Sequence, residues 1–279
     1  MKKYFVAATA LICGSVFAQE LPTPSSKASV EQRIGLTDIS VAYHRPNVND
    51  RDVFGALVPY EKMWRTGANK ATALTFSTEV MIMDEVLPAG TYSLFAIPGQ
   101  DQWTLVFNTE TELWGTGNYK EENDVMRVMV APEMTNFTES FTIDFQNVSK
   151  TSGMLCLRWA ETQACVPIQV DVDKKALANI SEAVSSDDAN WAVFRTSASY
   201  FMDNDVDHVQ ALEWMKKSVE MKDDNWYSHY LLGRAYHLNG DKKMAKKSVK
   251  NALKMYRDNT EEGDRPYEAM LEAALKEWK

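Results

Sequence analysis

Apolar residues recur at every second position in many short segments between about residues 28 and 172. Residues 91–96 and 141–145 alternate most regularly, and this period of two is typical of strands with one buried face. Turn-forming residues such as Pro98 and Gly99 separate the segments. The pattern predicts strands at residues 39–43, 73–77, 91–97, 103–108, 125–130, 141–145, 154–160 and 163–170.

These short strands follow one another with no helical segment between them. Such an order favours antiparallel sheets packed face to face. We therefore expect an antiparallel β-sandwich or jelly-roll-like domain over residues 24–172. A segment of this length can bury a hydrophobic core of its own.

The apolar period changes at Asp173, where spacings of three and four begin and Gly and Pro become rare. The helical part also resembles itself at a spacing of 34 residues, as in the pairs Ala211 and Ala245 or Asp207 and Asp241. This spacing is the repeat length of tetratricopeptide helix pairs. The second copy follows that pattern more closely than the first.

The two periods predict a multidomain chain, β then α. Its second part is expected to be a short tetratricopeptide-like α-helical domain at residues 174–279, with two repeats at about 192–258. An amphipathic segment at 265–278 suits a capping helix, which repeat arrays need at their exposed end.

The first 18 residues have the pattern of an export signal. Lys2 and Lys3 precede an apolar run at 4–17, and Ala18 ends a cleavage site of small residues. A membrane anchor is the competing interpretation, but the run is too short to span a bilayer and no later segment approaches about 18 uninterrupted apolar residues. We expect a signal peptide at 1–18 and an exported protein, periplasmic or extracellular, with no membrane span after cleavage.

The composition is acidic, with 30 Lys and Arg against 39 Asp and Glu and a formal net charge of −9. Removal of residues 1–18, which contain two lysines and no acid, changes this charge to −11. Nucleic-acid binding needs a basic stripe to neutralise phosphates, so no nucleic acid is expected as a partner. The same balance disfavours purely electrostatic binding to anionic lipid.

Two cysteines remain after the signal peptide, Cys156 and Cys165, in two predicted strands separated by a short polar turn. They face each other if the strands form a hairpin, and export permits a disulfide. The alternative is a pair of small buried apolar residues, and the sequence leaves both open.

Motifs for metals and cofactors are not found in the sequence. The acidic segment at residues 203–207 alternates like a calcium loop, but His208 replaces the required Gly and Trp214 the bidentate Glu. The four histidines have no metal spacing, and no phosphate or dinucleotide fingerprint occurs. We expect no metal and no cofactor.

Residues 45–72 show neither period, although clear strands flank them. Loops of this length inside a compact domain are uncommon, and they are usually functional or disordered. Apolar residues such as Phe54 and Met63 argue against disorder. This segment is therefore the best candidate for a functional site.

Several side chains of this segment suit an anion or a sugar. Arginine binds carboxylate or phosphate as a fork, and tryptophan offers a flat apolar face. The alternative is that the arginines anchor the loop through its own carbonyls while the aromatic residues form a private core. The candidate ligand-binding residues are Arg45, Arg51, Tyr60, Trp64, Arg65 and Asn69, with Trp114 as a candidate at the rim.

The motifs of the β part, taken together, are specific. They include Tyr43 with Arg45-Pro46, Arg51 with Phe54-Gly55, Leu57-Val58-Pro59-Tyr60, Trp64-Arg65-Thr66-Gly67-Ala68-Asn69, Pro88-Ala89-Gly90-Thr91-Tyr92-Ser93-Leu94 and Trp114-Gly115. Over about residues 24–170 the chain resembles an exported bacterial family called domain of unknown function 2911. The resemblance implies export and a β architecture, in several members with a helical tail, and it implies no established activity.

These patterns favour an exported cell-envelope binding or adaptor protein. A protein or peptide partner is expected on the helical repeat and a small anionic or sugar ligand on the β domain. The alternative is a hydrolase acting on envelope glycan or peptide, with Asp50, Asp52 or Glu61 as general acid or base. Two carboxylates that converge on a pocket beside Arg65 would favour the hydrolase.

Overall fold

The computed structural model describes residues 22–261 and 263–278 of the chain. The chain divides into two compact units, with the boundary in sequence between Val172 and Asp173. The predicted order, an antiparallel β part followed by a helical part, is confirmed. The predicted signal peptide at residues 1–18 lies outside the described residues.

Ten strands lie in the described part of the first unit. They are β1 Ser26–Ile34, β2 Thr37–Arg45, β3 Thr72–Phe76, β4 Val80–Ile82, β5 Glu85–Leu87, β6 Gly90–Ile97, β7 Trp103–Asn108, β8 Asp124–Val130, β9 Pro132–Gln146 and β10 Ser152–Gln169. A turn of 3₁₀ helix at Glu121–Asn123 precedes β8. Each predicted strand overlaps one of these elements, although 73–77 and 163–170 each extend one residue beyond it.

The strands form two antiparallel sheets. One sheet has six strands in the order β1-β2-β3-β6-β7-β8, and the other has four in the order β5-β4-β10-β9. In β2, Ile39, Val41 and Tyr43 are buried while their neighbours are exposed or half-buried, which is the alternation that the sequence shows. Inward residues of both sheets belong to one hydrophobic cluster, so the sheets pack face to face.

Aromatic rings fill the core beside the loop between β2 and β3. Trp64 of that loop contacts Phe141 and Trp103 edge to face, with ring centroids 5.1 and 6.3 Å apart. Trp159 stacks against Trp64 at 5.9 Å. Aromatic pairs of this kind contribute about 0.5–1.5 kcal/mol each beyond their buried area. The loop is therefore anchored in the core through Trp64.

β10 reverses direction within its own length. Cys156 and Cys165 are nine residues apart, and an extended strand would separate their Cα atoms by about 30 Å. The observed Cα–Cα distance is 4.1 Å, and Ala160 between them has a φ of +52°. β10 therefore folds back near Ala160, and the two cysteines form a disulfide across the fold.

β9 bends around this reversal. Thr138 pairs with Ala160 and Met134 with Thr162, so β9 has more residues than β10 over the same stretch. Extra residues are what a strand on the outside of a bend needs. Met134 and Phe137 project from this stretch and are exposed.

Six helices lie among the described residues from Val172 onward. They are α1 Val172–Ser185, α2 Trp191–Asp203, α3 His208–Met221, α4 Trp226–Leu238, α5 Lys242–Asp258 and α6 Glu268–Glu277. None of these described helices is long and apolar enough to cross a membrane.

The 34-residue spacing is matched by helix pairs, α2 with α3 and α4 with α5. Asp207 and Asp241 cap the second helix of each pair, and each accepts the backbone N–H three residues later at 2.9 Å. Ala211 and Ala245 are fully buried in both copies. The acidic segment that alternates like a calcium loop is thus the turn between α2 and α3, with Asp207 as its cap.

The second helix pair packs closely because Gly233 has no side chain. A Cβ at this position would lie 2.6 Å from Cγ2 of Val249. Beyond α5, Leu271 and Ala274 of α6 join a hydrophobic cluster with Val249 and Ala252. α6 lies within the range predicted for a capping helix, and it covers part of α5.

Candidate functional site

The loop between β2 and β3 has an unusual backbone. Seven of its residues have positive φ: Asn49, Asp50, Gly55, Glu61, Thr66, Gly67 and Asn69. A non-glycine residue in this region costs on the order of 1 kcal/mol or more, and such residues cluster at functional sites. The surrounding contacts must therefore hold the loop in a single shape.

Backbone hydrogen bonds connect the loop to both sheets. Trp64 and Ala96 of β6 exchange two such bonds, with N···O distances of 2.7 and 2.9 Å. The N–H of Val48 donates to the carbonyl of Glu139 in β9 at 2.8 Å. Within the loop, the N–H of Gly55 donates to the carbonyl of Val58 at 2.9 Å. These hydrogen bonds therefore hold the loop against both sheets of the sandwich.

Arg45 ties the start of the loop to the four-stranded sheet. Its Nε donates to the carbonyl of Phe141 at 2.9 Å, and its Nη2 donates to Oγ1 of Thr142 at 2.7 Å. Both acceptors belong to β9. Arg45 is not among the residues that line the cleft described below, and we assign it a structural role.

Trp64 and Tyr60 also support the loop. Trp64 is 8% exposed, and its Nε1 donates to the carbonyl of Gly67 at 3.2 Å. Trp159 stacks on its ring and Phe141 and Trp103 meet it edge to face, so little of the ring is exposed. Trp64 is nevertheless among the residues that line the cleft described below. Tyr60 packs on Gly55, where a Cβ would lie 2.7 Å from Cε2 of the tyrosine ring.

A cleft of about 310 Å³ opens beside the loop. Arg51 and Arg65 line it together with Asn47 and Asn49, and Trp159 contributes to its wall. Among the described residues that line the cleft, none is acidic. The volume lies at the lower end of the range for small-molecule sites.

Arg51 is held at the cleft by its own loop. Its Nε donates to the carbonyl of Val48 at 2.9 Å, and its Nη2 donates to the carbonyl of Asn47 at 2.6 Å. These bonds fix the guanidinium plane. Within residues 22–261 and 263–278, its Nη1 has no hydrogen-bond partner.

Arg65 is held between two backbone segments. Its Nη1 donates to the carbonyl of Asn69 at 3.0 Å, and the same oxygen accepts the N–H of Gly115 at 3.3 Å. A Cβ on Gly115 would lie 3.5 Å from Nη1. In the part of the chain that the structure describes, Nε and Nη2 of Arg65 donate to no acceptor. Asn69 thus serves the site through its backbone carbonyl, at a φ of +60°.

Trp114 stands beside this arrangement and is 70% exposed. It forms an isolated β-bridge with Lys70, whose Nζ lies 2.7 Å from a carboxylate oxygen of Glu112. Its neighbour Gly115 touches the guanidinium of Arg65. Trp114 is therefore far more exposed than Trp64, but it is not among the residues that line the cleft.

The three candidate acids lie away from the cleft. Asp50, Asp52 and Glu61 are exposed, and none of them lines it. Oε1 of Glu61 lies against Gly99, where a Cβ would be 2.7 Å away. The geometry expected of a paired-carboxylate hydrolase beside Arg65 is therefore absent among the described lining residues.

Asn47, Asn49 and Trp159 line the cleft, and the sequence did not single them out. The two asparagines lie within the candidate loop, where polar residues flanking Arg51 were the available signal. Trp159 lies in a strand just before the reversal of β10. Alternation places Trp159 on the inward face with Leu155 and Leu157, but it does not reveal that this residue borders the cleft.

A second polar cluster lies beside β7 and β8. Asp124 accepts hydrogen bonds from Asn108 at 2.7 Å, from the Tyr119 hydroxyl at 2.5 Å and from Nε of Arg127 at 2.8 Å. Burial raises the pKa of Tyr119 to about 12, and Asp124 adds to this shift while Arg127 opposes it. The members satisfy one another, and we assign the cluster a structural role.

Comparison with known protein families gives a match. The sequence model of a family described as "Protein of unknown function (DUF2911)" matches residues 25–168. This range is just over half of the chain and contains Arg51, Arg65 and Trp114. No curated protein matches the chain.

Proposed function

Since the chain belongs to the DUF2911 family, whose description assigns no activity, we propose a function from its own residues: it is a cell-envelope binding protein. Its β unit holds a small anionic ligand in the cleft of Arg51 and Arg65. Its helical unit docks a protein partner. The export that this function requires remains a prediction from residues 1–18.

The charge of the cleft carries the proposal. The whole chain has a net charge of −9, yet both charged residues that line the cleft are arginines. Each arginine donates hydrogen bonds from one or two of its guanidinium nitrogens to backbone carbonyls of the loop. At least one nitrogen of each arginine is unpaired among the described residues. A fixed guanidinium with open donors binds carboxylate or phosphate directionally.

The proposal of a docked protein rests on the helix pairs. Arg195 of α2 lies over the rings of Trp191 and Tyr227, 4.8 and 5.8 Å from their centroids. These residues join the first and second helix pairs on one side, and Tyr227 is 40% exposed. Aromatic and arginine side chains are the residue types that dominate protein-docking surfaces.

Thermal unfolding tests the anion site. The full exported chain is melted with a panel of carboxylates, sugar phosphates, neutral sugars and inorganic phosphate, beside the variants Arg65→Ala and Arg51→Ala. A ligand at about 100 times its Kd adds roughly 2.7 kcal/mol to the free energy of unfolding, which raises Tm by several degrees. We expect anions to raise Tm in the wild type and to raise it much less in either variant.

Arg33→Ala is the matched control, because it removes the same charge from an exposed ion pair with Asp38 outside the cleft. This variant should keep the full ligand shift. A panel in which no anion raises the wild-type Tm, or an equal loss of shift in all three variants, would refute the anion site.

A further inference from the structure

We propose that the anion held by this cleft is a sugar acid, a hydroxylated ring that carries a carboxylate, with Trp114 stacking on the ring while Arg65 takes the carboxylate. This inference rests on the proposed anion site and names its ligand class. The observation behind it is that the carbonyl of Asn69 accepts both a guanidinium nitrogen of Arg65 and the backbone N–H of the residue that follows the exposed Trp114.

The shared anchor is the carbonyl oxygen of Asn69. It accepts Nη1 of Arg65 at 3.0 Å and the N–H of Gly115 at 3.3 Å. Trp114 is the residue before Gly115, and consecutive Cα atoms are about 3.8 Å apart. The backbone that carries the indole is therefore held next to the guanidinium contact, although Trp114 itself is not among the residues that line the cleft.

The segment that carries Trp114 has further contacts. Lys70 forms the β-bridge to Trp114 and the ion pair with Glu112. Gly115 has a φ of +81°, a conformation that glycine adopts without strain. These contacts hold the backbone at Trp114, although nothing in the described part of the β unit covers most of its side chain.

The chemistry of this pair selects the ligand. An exposed indole contributes little to folding, but it suits the apolar face of a flat or ring-shaped ligand. The unpaired Nε and Nη2 of Arg65 can receive a carboxylate as a fork. Asn47 and Asn49 line the same cleft and supply amide groups for hydroxyls.

A binding experiment with three probes tests this assignment. The full chain and the variant Trp114→Ala are titrated with D-glucuronate, with succinate as an acid without a ring, and with D-glucose as a ring without an acid. Isothermal titration calorimetry gives each Kd. A tri-galacturonate is added to distinguish a free sugar acid from the end of an acidic glycan as the source of the ligand.

We expect glucuronate or the oligomer to bind the wild type more tightly than succinate or glucose. Trp114→Ala should weaken sugar-acid binding about tenfold, the order expected for one aromatic contact, and leave succinate unchanged. Phe137→Ala is the matched control, because it removes an exposed aromatic from β9 and not from the segment bonded to Asn69 beside Arg65.

The outcomes distinguish the sugar-acid assignment from the anion site on which it rests. If succinate binds as tightly as glucuronate, or Trp114→Ala leaves the sugar acids unaffected, the sugar-acid assignment is wrong while the anion site stands. If no acid binds the wild type, both proposals are wrong.

Discussion

Arg45, Arg51 and Arg65 share one residue type and one stretch of chain, yet they have three different environments. Arg45 donates two hydrogen bonds to β9. Arg51 donates two to carbonyls of its own loop, and Arg65 donates one to the carbonyl of Asn69. The sequence singles out all three because arginine in a long apolar loop needs a partner. It does not divide them between anchor and ligand contact, because the division depends on which carbonyls each can reach.

Replacing Arg45 with Ala should destabilise the β unit. The change removes two hydrogen bonds from a half-buried charged donor and leaves the carbonyl of Phe141 without this partner. Hydrogen bonds of charged groups contribute about 1.5–3 kcal/mol each to the free energy of unfolding. Urea unfolding should show a loss of about 2–3 kcal/mol.

The control for Arg45 is Arg33→Ala, whose partner Asp38 is exposed. Exposed ion pairs contribute about 0–1 kcal/mol, so this variant should unfold close to the wild type. Equal losses in the two variants would mean that the bonds from Arg45 to β9 do not stabilise the fold.

The raised pKa of Tyr119 makes stability depend on pH at the alkaline end. The folded protein keeps the Tyr119 proton up to a pKa of about 12, whereas an unfolded tyrosine loses it near pH 10. Between these values the unfolded state binds fewer protons, so the contribution of Tyr119 falls as pH rises. Its stabilising effect is complete below about pH 10.

Comparison with Tyr119→Phe isolates this effect, because other alkaline groups cancel in the difference. The free energy of unfolding of the wild type, relative to the variant, should decrease as pH rises from about 10 to about 12. A difference that stays constant over this range would show that the hydroxyl has no shifted pKa.

At the scale of elements, alternation predicts strands where one face is buried along the whole strand. β2, β3 and β8 alternate in this way, whereas β6 and β7 are buried at consecutive positions. β9 is predicted only at residues 141–145, because Met134 and Phe137 are exposed and break the pattern where the strand bends. β10 is predicted as two strands, and its two halves do pack against each other at the cysteines.

Removing the disulfide should lower the stability of the β unit. The bond closes a loop between residues nine apart, and the chain-entropy estimate for so short a loop is about 2–3 kcal/mol. The double variant Cys156→Ala/Cys165→Ala should lose this amount in urea unfolding. Adding a reductant opens the same loop in the unfolded wild type, so the wild type should lose the same stability. The stability of the double variant should not change.

The outcome that contradicts this prediction is equal stability of the double variant and the wild type under oxidising conditions. Cys156 is 1% exposed, so a small loss from missing sulfur contacts is also expected. The single variant Cys165→Ala measures that packing loss when it is compared with the reduced wild type.

At the scale of the whole molecule, the change of period at Asp173 coincides with the start of α1 at Val172 and with the boundary between the two compact units. The sequence predicts this boundary because apolar residues recur at every second position before it and at spacings of three and four after it. It predicts the location of the candidate loop for the same reason. It does not predict the cleft, whose walls come from residues as distant in sequence as Pro24, Arg65 and Trp159.

Gly233→Ala tests whether the helical unit takes part in anion binding. The added methyl group meets Val249 and the carbonyl of Ala245, and overpacking of this kind costs about 1–3 kcal/mol, against a gain of about 1 kcal/mol from helix propensity. Arg51 and Arg65, which line the cleft, belong to the β unit. We therefore expect lower stability of the helical unit and an unchanged Kd for anions at 25 °C.

Gly263→Ala is the matched control, because Gly263 belongs to the same unit and a Cβ there meets nothing within 4 Å. Circular dichroism at the helical band should report the loss in Gly233→Ala and no loss in the control. A changed Kd in Gly233→Ala would show that the helical unit takes part in anion binding.

The positive-φ residues between β2 and β3 have a thermodynamic consequence. Because folding already fixes these residues, their conformational entropy is lost before a ligand arrives. A flexible site loses about 0.5–1.5 kcal/mol for each side chain that becomes immobile on binding. Here that loss is confined to Trp114 and the free ends of two arginines, so the entropic penalty of association should be small and the loop backbone should superimpose in its free and occupied forms.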